Sequence, residues 1–317
     1  MSYSDDVRMR IVSLIKETSI FNGDLGDGSF HGKEYDFILK DGNNNLYPDS
    51  KDAMLDYFKK NGIAWWNGRE PTNNPRSSQI ACLNHLFPSR QDKDAVLSIV
   101  KGIDSTIVDV MRIESDAYDP AFIQFEAVSD IDHLNERAST RGSNCTSIDA
   151  LILAVREDGA KVLIPIEWKY TENYGNQDKS MGSDGHTRKL RYSDLIANSM
   201  QLSSQNCTIY YYEPFYQLMR QTLWAEQMVA HRDTEIAGAE DFVHVHVIPS
   251  GNKELLNKKY RCSRTDMETT WRSCITDQKK YRILTPEELL EPLNKVQYQM
   301  LLDYLALRYW DSGSGTG

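Results

Sequence analysis

Residues 141–172 read RGSNCTSIDALILAVREDGAKVLIPIEWKYTE. Two apolar, β-branched runs, Ile148 to Val155 and Val162 to Ile166, flank Glu157-Asp158-Gly159. This is the pattern of two strands around a tight turn. Charge interrupts the pattern at Asp149 in the first run and at Glu167 and Lys169, on either side of Trp168, after the second. A buried strand carries charge at a cost unless the charge is paired or used. Side chains alternate faces along a strand, so Glu167 and Lys169 share one face and Trp168 points to the other. The turn decides where Asp149 goes. A two-residue loop at Asp158-Gly159 pairs Asp149 with Trp168, whereas a three-residue loop, Glu157-Asp158-Gly159, pairs it with Glu167. The longer form is a type I turn followed by Gly in the left-handed region, and Gly159 stands where that Gly is required. The sequence therefore predicts Asp149 and Glu167 opposite each other on one face. Their Cβ atoms would lie about 5 Å apart, close enough for two carboxylates to hold one divalent ion.

Asp149…Glu167-Trp168-Lys169 resembles the Asp…(Asp/Glu)-x-Lys signature of the PD-(D/E)xK nuclease superfamily. The likeness covers the hairpin and its flanking elements, from about Ser89 to Ser250. Asn144-Cys145-Thr146-Ser147-Ile148-Asp149 also resembles a bacterial restriction-endonuclease branch, with Ile148 where the name-giving proline would stand. The resemblance implies an α/β fold with a restriction-endonuclease-like core. That core is a central mixed β-sheet flanked by helices, here with helical additions at both termini. It implies Mg²⁺, with Mn²⁺ as a substitute, held by Asp149, Glu167 and the backbone carbonyl of Trp168. The expected activity is phosphodiester hydrolysis in DNA by a restriction-type or repair-type endonuclease. Lys169 would orient or deprotonate the attacking water, or stabilise the transition state; the sequence does not choose. The superfamily often adds an acidic residue on the first strand or helix. Glu126 is the candidate and Glu114 the reserve, against the alternative of an exposed edge glutamate. Gln217 and Gln221 lie one turn apart on a helix. They match the glutamine that several branches carry beside the active site, with surface polarity as the simpler reading.

Composition sets the outer bounds. The chain has 317 residues, 40% apolar and 26% charged, an ordinary globular balance that argues against disorder. No window approaches 18 consecutive apolar residues, so no membrane span is expected. Asp5, Asp6 and Arg8 open the chain without a long apolar core, so no signal peptide is expected either, and a cytoplasmic location follows. Cys82, Cys145, Cys207, Cys262 and Cys274 are widely spaced and form no C-x-x-C pair, which reads as free thiols in a reducing compartment. The net charge of -10 counts against nonspecific coating of nucleic acid. A DNA cleft needs only a local basic surface. Candidates are Arg188, Lys189 and Arg191, and residues 258–282, where eight Lys or Arg face three Asp or Glu. Solvated surface charge is the competing reading for both. Arg137 and Arg141 can bind phosphate from a polar loop. The expected partner is DNA, and a homodimer is left open.

The chain divides into an N-terminal helical and loop extension (1–88), a nuclease-like core (89–250), a basic segment with C-terminal helices (251–311) and a flexible tail (312–317). Periodicity and capping signals predict helices over Val7 to Ile15, from Ser50 to Asn61-Gly62, from Ser77 to Phe87 and over Ser89 to Ile103. Further helices are expected over Tyr192 to Leu202, Pro214 to Val229, from Thr285 and over Leu293 to Tyr309. Strands are expected at Phe122 to Val128, Cys207 to Tyr212 and Phe242 to Ile248, and a mobile loop at 173–186. Gln79, Asn84 and His85 can face a cleft. Adjacent Trp65 and Trp66 can stack on bases, although core packing takes the larger share. His244 and His246 share a strand face, either as a polar surface or as zinc ligands without an obvious third. Three rivals to a nuclease follow. They are a catalytically silent nuclease-fold module binding nucleic acid or protein, a zinc hydrolase on the two histidines, and a structural domain in which Glu167 and Lys169 merely pair.

Overall fold

The computed structural model describes every residue except 67, 116–117, 138–144, 237 and 311–317. In chain order the strands are β1 (Gly28–Phe30), β2 (Lys33–Tyr35), β3 (Ile107–Met111), β4 (Ile113–Ser115), β5 (Tyr118–Ala121), β6 (Ile123–Ala127), β7 (Ile148–Arg156), β8 (Lys161–Trp168), β9 (Asp241–Phe242), β10 (His244–Val247) and β11 (Tyr281–Leu284). Seven of them form one mixed sheet with the path β11-β10-β8-β7-β3. Strand β6 lies beside β7, and β9 beside β8. Strand β7 runs antiparallel to β3, β6 and β8, whereas β8 runs parallel to β9 and β10, and β10 to β11. β1 with β2 and β4 with β5 form two small separate hairpins.

The helices are α1 (Tyr3–Glu17), α2 (Lys51–Lys60), α3 (Ser78–Leu86), α4 (Lys93–Ile103), α5 (Gly182–Asn198), α6 (Phe215–Ala230), α7 (Lys253–Leu256), α8 (Met267–Cys274), α9 (Pro286–Leu290) and α10 (Gln299–Arg308). They cover both sheet faces, and strict alternation along β7 shows how. Ala150, Ile152 and Ala154 enter a core shared with α1 to α4, α9 and α10. Leu151 and Leu153 enter a second core with α5, α6 and α8. A strand covered on both sides has no polar face to show, which is why β7 and β8 read as continuous apolar runs. The first three helices thus pack on the same sheet as residues 89–250. Among the described residues no helix is long and apolar enough to cross a membrane.

The hairpin register follows the turn. Val155 pairs with Lys161 and Ala150 with Ile166. Arg156 N–H donates to Ala160 O, closing a three-residue loop in which Gly159 has φ +86°. One further step of that register sets Asp149 across from Glu167, as the parity argument requires.

Several boundaries differ from expectation. The Cys207 to Tyr212 run forms two 3-10 turns, Ser204–Asn206 and Ile209–Tyr211. Its aromatic residues mimic a strand, but they are buried as plugs. Tyr210 is fully buried and its hydroxyl donates to the carbonyls of Ser203 and Cys274. Helix α5 begins at Gly182, so the Gly- and Ser-rich stretch expected as a loop is helical in its last residues. The helix expected from Ser89 starts at Lys93, because Asp92 is the residue that caps its amides. Ser50 occupies the N-cap of α2 without making a side-chain cap bond. Helix α10 starts at Gln299 rather than at Leu293. Strand β3 was not expected; it is a sheet neighbour of β7 whose Val108 is 46% exposed, so it lacks the apolar run of the inner strands. The tail 312–317 lies outside the described residues.

Candidate active site

Three strands bring carboxylates into one row. In the β6–β7 pairing, Phe125 stands opposite Ala150 and Ala127 opposite Ile148, which sets Glu126 across from Asp149. Asp149 in turn stands across from Glu167, and Glu167 is in register with His246 on β10. Glu126 has φ +51°, a left-handed conformation that costs a non-glycine residue about 1 kcal/mol or more. The twist breaks the alternation of β6. Ile123 and Phe125 enter the first core, and Ala127 enters the second.

Each carboxylate is held differently. Asp149 ends the β7–β8 ladder, and its Oδ2 accepts the Trp168 N–H at 2.8 Å. The side chain thereby replaces the backbone carbonyl that the next ladder rung would supply. Glu167 is buried, with one oxygen paired to Lys169 Nζ and the other accepting from Gln221 Nε2. Glu126 accepts from Gln79 Nε2 at 2.6 Å and from Ser147 Oγ at 3.0 Å. Gln79 and Ser147 come from α3 and the loop before β7.

Helix α6 supplies the support on the far side. His244 Nε2 donates to Gln221 Oε1 at 3.1 Å, and Lys169 Nζ donates to Gln217 Oε1 at 2.7 Å. Tyr174 donates to the same Gln217 oxygen at 3.2 Å. A second buried network anchors the loop before β7. Glu136 takes bonds from Thr146, Tyr192 and Arg220.

The charges disturb one another. Burial first, then repulsion from Glu167 and Glu126, pushes the Asp149 carboxyl well above the ordinary range. Burial also raises Glu126, with bonds from Gln79 and Ser147 opposing and Glu167 adding to the rise. Burial acts to lower Lys169, but Glu167, Tyr174, Glu172 and Asp149 together outweigh it and hold the ammonium firmly protonated.

These groups open into a cleft of about 600 Å³. Glu126, Asp149, Glu167, Trp168, Lys169, Glu172 and Gln217 line it, together with Trp66, Arg76, Ser77, Ser78 and Gln79 from the segment that leads into α3. Sequence reasoning missed Arg76. Nothing local ties residue 76 to the hairpin, and only the packing of α3 on β8 places it there. Of the three polar positions on α3, Gln79 alone reaches the cleft. Asn84 is buried against Tyr47, Asn45 and Tyr309, and His85 between Ala81 O and Trp310.

Other expected site residues lie elsewhere. Arg188 donates to Lys179 O and sits near Asp184, Lys189 is exposed, and neither lines the cleft. Charge on an exposed helix does not specify which way the helix faces. Glu114 is exposed and off the cleft. Arg141 falls outside the described residues. In the 258–282 segment, Lys259, Arg272 and Lys280 pair with Asp266, Glu268 and Asp241. His244 and His246 are fully buried, bonded to Gln221 and to the Tyr281 hydroxyl, and burial lowers both below the usual histidine range. They are neutral supports of the sheet.

Among the described residues no group of three or more His, Cys, Asp or Glu encloses an ion position. Zinc sites need such a set. Mg²⁺ keeps several waters and is commonly bound through one or two carboxylates and substrate phosphates. An Asp149–Glu167 pair, with Asp149 raised by burial and then by repulsion, suits that second kind of site.

The family model described as Restriction Endonuclease associating with ARP matches residues 17–310. The chain belongs to that family. Its mixed seven-stranded sheet between helices is accordingly a restriction-endonuclease-like fold, and a nuclease role goes with the family. Comparison with curated proteins and with solved structures gave no match.

Proposed function

We propose that this chain is a Mg²⁺-dependent endonuclease that hydrolyses phosphodiester bonds in DNA. The observation that carries the reading is the row Glu126, Asp149, Glu167 on three adjacent strands, with Lys169 paired to Glu167 inside the same cleft. Asp149 and Glu167 would hold the ion, with the Trp168 carbonyl as the third ligand that the superfamily resemblance implies. When bound, the ion would acidify a water and neutralise charge on the scissile phosphate.

The remaining roles belong to the chain itself. Gln221, steadied by His244, fixes one oxygen of Glu167 and so fixes the carboxylate plane. Gln217 and Tyr174 hold the far end of Lys169. Lys169 then places a positive charge where the phosphate must gather negative charge, and a preorganised cation stabilises that charge without reorganising. Its protonated state favours this role over that of a base. Glu126, tied to Gln79 and Ser147, adds negative charge beside Asp149 and strengthens the site's demand for a cation. Association with ARP, the partner in the family's description, is part of the proposal. A net charge of -10 gives the chain little long-range attraction for DNA, and a partner that delivers it would offset that.

The test is incubation of purified protein with supercoiled plasmid, with Mg²⁺, with Mn²⁺ and with a chelator. Nicked and linear products that require the metal and vanish in Asp149→Asn support the reading. Intact plasmid under every condition, with folded protein, contradicts it.

A further inference from the structure

One wall of the cleft carries two side chains that the hydrolytic reading leaves unused. Trp66 lines the cleft and is 59% exposed, whereas its neighbour Trp65 is buried and stacks on Phe58 at 3.8 Å. The tryptophan pair is thus split into one core residue and one open indole. Trp66 is also anchored. Its backbone N–H donates to Gln79 Oε1 at 2.9 Å, and Gln79 Nε2 donates to Glu126. The loop bearing the indole is therefore two hydrogen bonds from the carboxylate row.

Arg76 is the second. It lines the same wall and is half-buried. Its guanidinium lies over the Phe37 ring at 4.3 Å, and Nη1 donates to Ser4 Oγ at 3.0 Å, so its direction is fixed. Its Nε is buried without a hydrogen-bond partner, and among the described residues no carboxylate pairs with it. A half-buried guanidinium that no carboxylate touches, with Asp5 acting on it only from a distance, is costly, and an anion entering the cleft would relieve that cost. Arginine's planar fork suits phosphate oxygens in particular. Gln79, Ser77 and Ser78 add polar groups beside it.

Resting on the nuclease reading above, we infer that Trp66 and Arg76 form a subsite for an unpaired nucleotide next to the scissile phosphate. Its base stacks on the Trp66 indole and its phosphate is held by Arg76. Stacking on an open indole needs a free base face, which a base inside a duplex does not offer. The substrate at this subsite is single-stranded DNA, or a strand end or flap.

The experiment measures binding in chelator, so that cleavage plays no part. Anisotropy of a labelled single-stranded oligonucleotide and of its duplex is compared for wild type, Trp66→Ala and Arg76→Gln. Melting temperature serves as the folding control, and the exposure of Trp66 makes its variant safe for the core. The expected result is tighter binding of the single strand, weakened about 5- to 150-fold by Trp66→Ala with little change for the duplex. Arg76→Gln should lower the slope of log affinity against log salt by about 0.7. Equal binding by wild type and Trp66→Ala overturns the subsite, as does an equal loss for strand and duplex, or no single-strand binding by wild type. If the strand binds as described but plasmid and oligonucleotide stay uncut with Mg²⁺, the subsite stands and the nuclease reading fails.

Discussion

Asp149→Asn should make the metal-free protein more stable. Asp149 faces Glu126 on one side and Glu167 on the other; burial first, and then these two charges, push its carboxyl upward. Two unit charges about 5 Å apart repel by about 3 kcal/mol at an effective dielectric of 20. Lys169, already paired to Glu167, offsets part of that for Asp149. Asparagine removes the charge but keeps an oxygen for the Trp168 N–H, so the ladder end survives. The net gain is on the order of 1–3 kcal/mol. At about 2–4 °C per kcal/mol for a large domain, the melting temperature in chelator should rise by roughly 2 to 12 °C. The assay is a thermal melt of both proteins in chelator and across a Mg²⁺ titration. Wild type should climb with the logarithm of ion concentration, and Asp149→Asn should stay flat. A variant that melts at or below wild type in chelator would refute the repulsion argument. Parallel Mg²⁺ shifts in the two proteins would place the ion elsewhere.

Three further outcomes follow from the supporting shell. Gln221→Ala leaves a Glu167 oxygen and a His244 nitrogen without their partner, and an unsatisfied buried group costs about 1–3 kcal/mol. Urea unfolding should show a loss in that range, with the midpoint falling. Glu136→Ala strands Arg220, which is otherwise tied to that carboxylate together with Thr146 and Tyr192. Breaking such a pair costs about 3–5 kcal/mol, and a denaturant curve superposable on wild type would contradict it. Asp241 bridges Lys280 and Arg156. Burial acts to raise its carboxyl, but the bonds from those two cations outweigh burial and hold it below the usual range. A depressed folded pKa contributes stability above the unfolded value near 3.9 and loses it as pH falls through the folded value. Asp241→Asn should therefore destabilise at neutral pH, with the gap to wild type closing below about pH 4, read from melts across pH.

The hairpin could be read because its determinants are local. Gly159 sets a three-residue loop, the loop sets the register, and the register brings Asp149 opposite Glu167. Gln217 and Gln221 were named through the family resemblance, one helical turn apart, although α5 lies between β8 and their helix in the chain. The part of the cleft built by residues 66–79 was legible only in part: Gln79 and the tryptophan pair were candidates, whereas Arg76 and the way these residues meet the carboxylates were not. Trp66, Arg76 and Gln79 reach the carboxylates only because α3 packs across β7 and β8, a contact between segments about 70 to 90 residues apart that no periodicity encodes. The split between Trp65 and Trp66 depends on which of the two meets Phe58. Arg188 and Lys189 lie off the cleft lining, and a basic surface helix has the same sequence whichever way it faces. The run at 207–212 misled because buried aromatic turns and buried strands share a composition.

The central claim rests on Lys169, which stands two residues after Glu167 and is held between Glu167 and Gln217. The direct measurement is single-turnover cleavage of a labelled DNA by wild type and Lys169→Ala at saturating Mg²⁺, with binding measured in parallel. Both carboxylates stay in place in the variant, so DNA binding should hold within a few-fold. Loss of a preorganised charge at the reacting centre should slow cleavage by about 10² to 10³ or more. Cleavage by Lys169→Ala at the wild-type rate would make Lys169 a structural ion-pair partner and contradict the account.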